Sequence, residues 1–264
     1  MVHRREATRI FRIDSAKSKL TISSLLLHGP RTDCPQHSAL TATIGVYVFA
    51  CWVHTLAKRS PLANPVAISV AILIALLKLS GTPYGTYFEG TRFIQFLLGP
   101  AIIALAVPLH RQMPKLREAL VPLLGGLVAG SATAIVSALG IAMLLHCSGV
   151  AVASIAPKSV TAAIAMLISA RIGGIPALTA AIVIATGISG AMLGSLVLDP
   201  LGVRRDDVRG FAIGVASHGI GTARAFQISE EAGAFAGLGM AMNGILSAFV
   251  LPIIFPAIMA WLLA

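Results

Sequence analysis

Two short stretches carry cationic and hydroxyl side chains inside apolar runs. The first, residues 156–166, reads APKSVTAAIAM and contains Lys158, Ser159 and Thr161. The second, residues 216–227, reads ASHGIGTARAFQ. Charged groups in such runs are costly in a lipid environment unless they face protein or water. These two stretches are therefore the first candidates for a functional site.

Pro157 gives the first stretch its geometry. Proline lacks a backbone N–H and clashes with the preceding turn, so a helix that enters it stops or kinks. If helical structure restarts at Lys158, the N–H groups of Ser159 and Val160 lie at a positive helix end. Together with the Lys158 charge and the two hydroxyls of Ser159 and Thr161, they outline an anion site. The alternative, a lysine that snorkels to the membrane interface, is disfavoured by its distance from both ends of the run.

The second stretch combines permissive backbone with polar side chains, and its candidates are Ser217, His218, Gly219, Gly221, Thr222 and Arg224. The two glycines allow backbone that a helix does not, which frees amides beside the hydroxyls. Arg224 can hold a carboxylate through two parallel hydrogen bonds. His218 titrates near physiological pH and could carry a coupled proton. A histidine satisfied within the core is an equally open interpretation.

Arg224 and Asn243 are two further polar groups that need partners. A buried cation without a fixed acidic partner is costly, and near Arg224 only Glu230 and Glu231 are acidic. A substrate anion could therefore be the partner of Arg224. Asn243 lies in the apolar run GMAMNGIL, where hydrogen bonding between helices is the favoured role. We also include Asn243 among the candidate substrate-binding residues, because it could line the cavity.

The composition is that of an integral membrane protein. Of the 264 residues, 56% are hydrophobic and 11% are charged, whereas soluble domains carry about 25% charged residues. The 25 glycines and 14 prolines indicate closely packed and interrupted helices. The net charge of +10 fits cytoplasmic loops beside an acidic lipid surface. Nucleic acid is not an expected partner, because no basic and aromatic stripe is present.

Other chemistries lack the residues that they require. The three cysteines, Cys34, Cys51 and Cys147, are odd in number and have no metal-like spacing, so neither a disulfide framework nor a metal site is expected. The sequence contains no nucleophile with a placed base, no phosphate-binding loop and no H-E-x-x-H helix. We therefore expect no enzymatic activity and no cofactor.

Apolar runs predict an all-α polytopic membrane protein with seven or eight helices and two or three broken or re-entrant segments. The predicted segments are residues 40–57, 62–79, 93–109, 119–145, 150–170, 176–198, the segment that contains the second polar stretch at residues 216–227, and residues 232–263. Asn64-Pro65 suits a helix start, residues 81–92 suggest a polar loop, and Gly99-Pro100 is expected to interrupt the third segment. Pro252 and Pro256 are expected to kink the last one.

The distribution of lysine and arginine predicts the orientation. Residues 58–59 and 111–117 fall on one side after two crossings, which we assign to the cytoplasm. Residues 204–205 then lie outside if residues 150–170 cross the membrane, and inside if that segment is re-entrant. The pattern of a helix followed by a broken helix occurs near Asn64 and again near Ile175. This pattern is compatible with an inverted repeat.

Residues 1–38 form a basic region outside the predicted fold, and residues 39–264 form the transmembrane domain. The apolar run TISSLLLHG is too short to cross a bilayer. A disordered tail, or a start codon placed too far upstream, is favoured over an organelle transit peptide.

Six motifs give the chain a family resemblance. They are NPVAISVAILI from Asn64, FLLGPAIIALAVPLHRQ from Phe96, IAPKSVTAAIAM from Ile155, GGIPALTA from Gly173, RGFAIGVASHGIGTARAFQ from Arg209 and GAFAGLGMAMNGI from Gly233. With these motifs in this order, residues 40–264 resemble the LrgB/CidB family of membrane proteins. That family includes the membrane domain of the plastidial glycolate/glycerate translocator. Residues 1–38 have no counterpart in the resemblance, and neither does the LrgA-like half of the plant protein.

The resemblance implies two functions. One is transport of small monocarboxylates such as glycolate, glycerate or pyruvate, and the other is a holin/antiholin-like control of murein hydrolase export and autolysis. We favour a secondary transporter, because buried cations suit a carboxylate carrier better than a holin. The resemblance implies a bacterial inner membrane and a separate LrgA-like membrane partner, and we expect a homo-oligomer.

Overall fold

The computed structural model describes residues 35–58, 60 and 63–263, and this part of the chain is helical without strands. Its helices are α1 Pro35–Leu56, α2 Pro65–Ser80, α3 Tyr84–Gly90, α4 Arg92–Ala104, α5 Ala106–Arg111, α6 Met113–Glu118, α7 Leu120–Leu144, α8 Gly149–Ile155, α9 Ala162–Arg171, α10 Pro176–Leu198, α11 Asp206–Phe226 and α12 Glu230–Leu263. The predicted all-α class is confirmed. Of the predicted basic tail, residues 1–34 lie outside the described part, whereas residues 35–38 form the start of α1.

Five stretches of the described chain are long and apolar enough to cross a membrane. They are Ser38–Leu56, Arg92–Arg111, Leu120–Leu144, Pro176–Leu198 and Glu230–Ala260. Helix α2 is shorter but begins as predicted: the Asn64 side chain accepts hydrogen bonds from the N–H groups of Val66 and Ala67, and Pro65 occupies the first turn. The predicted polytopic membrane architecture is therefore confirmed.

The predicted breaks in the first half are placed differently by the structure. Residues 81–92, predicted as a polar loop, contain helix α3. Pro100 lies inside α4 rather than interrupting it, and the interruption comes at Leu105. The reason is Pro108, which has no N–H to donate to the carbonyl of Ala104 one turn earlier.

The first polar stretch forms a re-entrant helical hairpin, which we call hairpin 1 (residues 149–171). Helix α8 ends at Ile155 and α9 begins at Ala162. The two arms lie side by side, because Ile168 packs in one core cluster with Val152 and Ala153. Helical structure does not restart at Lys158 as predicted, because residues 156–161 are turns. The N–H of Val160, predicted to be free, donates to the carbonyl of Pro157.

Helix α11 is a second re-entrant hairpin, hairpin 2 (residues 206–226). His218 has a φ of 44° and a ψ of −138°, which no helix contains. The arm that follows runs back along the first arm, because Ala225 packs in one cluster with Ile213. Close approach of the arms at Gly221 requires a glycine, since a Cβ there would lie 2.9 Å from the Ile213 carbonyl oxygen.

The two hairpins enter from opposite ends of the molecule. Hairpin 1 follows the C-terminal end of α7, whose N-terminal end packs with the first arm of hairpin 2 through Leu123 and Phe211. One side chain of α12 reaches both tips, since Asn243 donates to the carbonyls of Ser159 and Val215. The tips therefore meet near the middle of the bundle. Irregular backbone at this depth is tolerated only where protein or a cavity surrounds it.

Because hairpin 1 is re-entrant, residues 204–205 lie on the same side as residues 111–117, which is the second of the two predicted alternatives. Their loop lies at the same end as α5 and α6, where Arg111 pairs with Glu230 and Lys115 pairs with Glu231 at the start of α12. We call this end the charged end. The bias of lysine and arginine predicts that the charged end faces the cytoplasm, and this orientation stays a prediction.

Candidate functional site

A cavity of about 420 Å³ runs from the charged end to the tip of hairpin 1. It lies between α7 and the first arm of hairpin 2, and its deep end is lined by Lys158 and Ser159. The α7 wall extends from Ala119 to Ala134, a length of about 22 Å at the rise of an α-helix. Most of the lining is apolar, so the few polar groups determine what the cavity can hold.

A wider charged vestibule of about 570 Å³ adjoins the cavity at the charged end. The two share part of their lining, namely Ala119, Pro122, Arg205 and Asp207. Arg205 holds Asp207 through two hydrogen bonds, Nε to Oδ1 at 3.1 Å and Nη2 to Oδ2 at 2.6 Å. Any solute that reaches Lys158 from the charged end passes this ion pair.

Asp207 lies in the first turn of α11, outside the candidate membrane spans, and its pKa is below its usual range. Burial raises the pKa of this carboxyl group, but the hydrogen bonds from Arg205 and from the Val208 N–H lower it further, as do the charges of Arg205 and Lys115. Asp207 is therefore ionised near neutral pH. This state depends on Arg205, which supplies two of its hydrogen bonds.

Lys158 is half-buried and its ammonium group lies 3.3 Å from the hydroxyl of Ser159. None of the described acidic side chains is within ion-pair distance of it. Thr161 is the N-cap residue of α9, but its hydroxyl makes no capping hydrogen bond. The predicted cation and hydroxyls therefore lie together at one tip, and the cation faces the cavity.

Asn243 joins the two hairpin tips to the rest of the bundle. It is 2% exposed, its amide nitrogen donates to the carbonyls of Ser159 and Val215 at 3.0 Å each, and its oxygen accepts from the hydroxyl of Ser131 at 2.7 Å. The Val215 carbonyl is free for this bond because the helix reverses three residues later. These contacts are hydrogen bonds between helices, which is the role that the sequence favours for Asn243.

Ser217 and His218 are enclosed by α10. The ring nitrogen Nε2 of His218 lies 2.9 Å from the Val183 carbonyl oxygen, which requires a proton on Nε2. Gly187 and Gly190 make room for the two side chains, since a Cβ at either position would overlap them. The structure thus gives His218 the surroundings of a satisfied core histidine. Its role in proton coupling stays a prediction.

Arg224 lies away from the cavity that Lys158 lines. It is half-buried near the end of the second arm of hairpin 2, and its guanidinium donates to the side chain of Gln227 at 2.7 Å. This places Arg224 close to the charged end rather than at depth. Thr222 donates to the carbonyl of His218 within its own arm, and Gly219 and Gly221 shape the tip. None of these residues lines the described cavity that contains Lys158, although the tips of the two hairpins meet at Asn243.

Sequence reasoning missed Arg205 and Asp207. Their stretch, DPLGVRRDDVRG, looks like an ordinary charged loop, because acidic and basic residues alternate there. Only the re-entrant path of hairpin 1 brings this loop to the mouth of the cavity. A signal was nevertheless present, since Asp206 and Asp207 begin the apolar segment that contains the second polar stretch.

Comparisons with known proteins identify the family of the chain. The family model described as "LrgB-like family" matches residues 43–257. A Haemophilus influenzae protein named "Uncharacterized protein" is 35% identical over 80% of this chain and 93% of its own length. "Holin-like protein CidB" of Staphylococcus epidermidis is 32% identical over 74% of this chain and 86% of its own. "Antiholin-like protein LrgB" of Bacillus mycoides is 32% identical over 75% and 86%.

No solved structure matches the chain. The resemblance predicted from the six motifs is confirmed by a match over most of the chain. The chain is a membrane protein that belongs to the LrgB-like family.

Proposed function

We propose that this protein is a secondary transporter of small organic anions, with glycolate, glycerate or pyruvate as the substrate class. The observation that carries the proposal is Lys158, which has no acidic partner among the described residues and lies at the deep end of a cavity that opens to the charged end. A cation without an acidic partner in an apolar cavity is costly, and a carboxylate that binds there removes this cost.

The arrangement of the hairpins supports the same proposal. Two interrupted segments that enter from opposite ends and meet at mid-depth are typical of carriers that work by alternating access. Ser159 and Thr161 offer hydroxyls beside Lys158, and the first N–H groups of α9 point toward the tip. We expect the carboxylate to bind at this tip. The other candidate residues belong to hairpin 2, and any role in transport is exercised there: Ser217, His218, Gly219, Gly221, Thr222 and Arg224.

Uptake into proteoliposomes tests the proposal. Purified protein should take up labelled glycolate, glycerate or pyruvate with saturation, and Lys158→Met should raise KM by about tenfold or more, the size of one charge-assisted hydrogen bond. The matched control is Lys78→Met, which removes an exposed lysine from the end of α2. Normal uptake by a folded Lys158→Met protein would contradict the proposal.

A second candidate is a holin/antiholin-like membrane regulator of murein hydrolase export. It rests on the names of two relatives, "Holin-like protein CidB" and "Antiholin-like protein LrgB". These names favour this candidate more directly than any comparison favours transport. A regulator that acts by forming pores should release entrapped dye in proportion to protein concentration, without saturation by a carboxylate.

Partners and location follow from the same family. We propose that the protein resides in a bacterial inner membrane, forms homo-oligomers and works with a small LrgA-like membrane protein. Uptake and dye release should therefore be measured with and without the LrgA-like protein. If uptake requires it, the partner belongs to the transport unit. If saturable uptake is absent in both cases and dye leaks, the regulator candidate is correct.

A further inference from the structure

At the mouth of the cavity, the Asp207 carboxylate is bound by Arg205 in the two-bond geometry that a substrate carboxylate would also use. The guanidinium of Arg205 donates through two nitrogen atoms to the two oxygens of Asp207. The side chain of Arg205 is 76% exposed, whereas that of Asp207 is 9% exposed. The arginine can thus turn toward a solute in the vestibule while the carboxylate stays in place.

We propose that a substrate carboxylate displaces Asp207 from Arg205, and that the freed Asp207 carboxylate then takes up one proton. This inference rests on the proposed transport function. It assigns a first binding site to Arg205 at the charged end and the coupling role to Asp207.

The surroundings of Asp207 explain why release would lead to protonation. After Arg205 leaves, the Val208 N–H, 2.8 Å from Oδ1, is the remaining donor among the described contacts. The charged groups that face the vestibule from other elements are Lys115, Glu118 and Glu231, beside Asp206 on α11 itself. Lys115 is neutralised by Glu231, to which it donates at 2.7 Å and 2.8 Å. Burial then dominates and favours the neutral acid.

The proton balance of the exchange is simple. One O–H bond forms on Asp207 as a hydronium ion in the vestibule loses one O–H bond and becomes water, and no bond in the substrate is broken. When the substrate leaves Arg205, the proton returns to water and the ion pair forms again. Substrate and proton binding are therefore linked, and each promotes the other by the same factor.

Asp207 is better placed for this role than His218. His218 is 4% exposed, its Nε2 is engaged by the Val183 carbonyl, and it lines none of the described cavities. Asp207 lines both the vestibule and the deeper cavity, and it is the only described acidic residue that lines the latter. A proton that reaches Asp207 from water needs no opening of the core.

The test measures protons taken up when glycolate, glycerate or pyruvate is added to the purified full-length protein in weakly buffered solution with a pH indicator. The wild type should take up about one proton per bound anion, as linkage requires. Asp207→Asn should take up none while still binding the anion, with a lower Kd because Arg205 is free. Arg205→Gln should also lose linked uptake, and its Kd should rise by about tenfold.

The matched control is Arg204→Gln. Its side chain is also 76% exposed, but it lies 3.9 Å from Asp199 and lines neither cavity. It should keep both the Kd and the linked proton. His218→Gln distinguishes the two coupling candidates and should retain the linked proton if it folds.

The outcomes separate this inference from the proposed function. An Asp207→Asn or Arg205→Gln protein that still takes up a proton with each anion overturns the inference and leaves the carrier function standing. A wild type that binds none of the three anions, with the LrgA-like protein present, overturns both. Anion binding by the wild type without proton uptake also overturns the inference alone.

Discussion

The two hairpins reverse the direction of the chain within the bundle in different ways. Hairpin 1 reverses through residues 156–161, and its arms are tied to α10 by hydroxyls: the Thr179 oxygen lies 3.0 Å from the carbonyl oxygen of Ser154 and 2.6 Å from the Ser169 hydroxyl. Hairpin 2 reverses at the single residue His218. Its first arm packs directly against α12 at Gly210 and Gly214, where a Cβ would overlap the carbonyls of Ala232 and Ala236.

This difference separates a tip that faces a cavity from a tip that is packed. The longer reversal of hairpin 1 leaves Lys158 free to face the cavity. The tight reversal of hairpin 2 leaves no such space, because His218 contacts the Val183 carbonyl of α10 and Thr222 donates to the carbonyl of His218. We infer that hairpin 1 carries specificity, whereas hairpin 2 supplies a rigid wall and the charged mouth of the cavity.

The largest effect is expected where hairpin 2 contacts α12. Gly214→Ala places a methyl group against the carbonyl of Ala236, and both are backbone positions that cannot move aside. We expect a loss of about 4 kcal/mol or more, which a membrane protein of ordinary stability does not tolerate. Yield and melting temperature after gel filtration measure the loss. Gly125→Ala in α7 is the control, because its Cβ would meet nothing within 4 Å. Equal behaviour of the two variants would refute close packing at hairpin 2.

Asn243→Leu should loosen both hairpins at once. The substitution leaves the carbonyls of Ser159 and Val215 and the hydroxyl of Ser131 without their partner. Three bonds between membrane helices at about 0.6 kcal/mol each predict a loss of about 2 kcal/mol. Hydrogen exchange should increase at residues 156–161 and at residues 215–219. Ser247→Ala, which removes a weaker contact of 3.4 Å to Asn243, is the control. An increase at one tip alone would show that the tips are held separately.

Thr179→Val should loosen hairpin 1 alone. It removes the hydroxyl that bonds to both arms of hairpin 1, with an expected loss of about 1 kcal/mol. Hydrogen exchange should increase in α8 and α9 and stay unchanged in α11. Thr222→Val is the reciprocal variant, because its hydroxyl bonds within hairpin 2. If the two variants produce the same exchange pattern, the hairpins are not independent units.

The smallest expected effect is the response of the ion pairs at hairpin 2 to low pH. Among the described residues, ion pairs brace the base of hairpin 2, with Arg209 donating to Asp199 at 2.6 Å and Arg205 pairing with Asp207, whereas hairpin 1 has none. The pKa of Asp199 is lowered mainly by its hydrogen bond from Arg209, and the pKa of Asp207 is also lowered.

A lowered folded pKa adds stability above the usual carboxyl value of about 4 and loses it as the pH falls through the folded value. Hydrogen exchange at the start of α11 should therefore increase on acidification from pH 6 toward about pH 3, the range in which carboxyl groups titrate. Exchange in α8 and α9 should change less. The reverse order would contradict this contrast.

Much of the fold follows from local signals in the sequence. Asn64-Pro65 predicts the start of α2, and the apolar runs predict α7 and α10, because caps and hydrophobic length act locally. Pro157 predicts an interruption for the same reason. The break at Leu105 was predicted at Gly99-Pro100 instead, since the prediction overlooked the missing hydrogen bond of Pro108.

The site depends on tertiary path and was only partly predictable. A sequence cannot tell a kinked span from a hairpin, because both need a helix breaker in an apolar run. The hairpins move Arg224 toward the charged end and bring Asp207 to the cavity, while Lys158 keeps its predicted place. Residue types thus predicted which cations and hydroxyls stand out, and the chain path determined which of them share the cavity.

The hydrogen bonds of Asn243 also determine when hairpin 1 can reach its final contacts during synthesis of the chain. Its partners Ser131 and Ser159 are synthesised 112 and 84 residues earlier. Hairpin 1 therefore leaves the ribosome and meets the insertion machinery long before α12 can fasten it. A chain truncated before α12 would hold two unfastened hairpins in the bilayer, with polar backbone exposed to lipid. Because cells degrade chains that stay unfolded, we expect the protein to reach its folded state only when the last helix is complete.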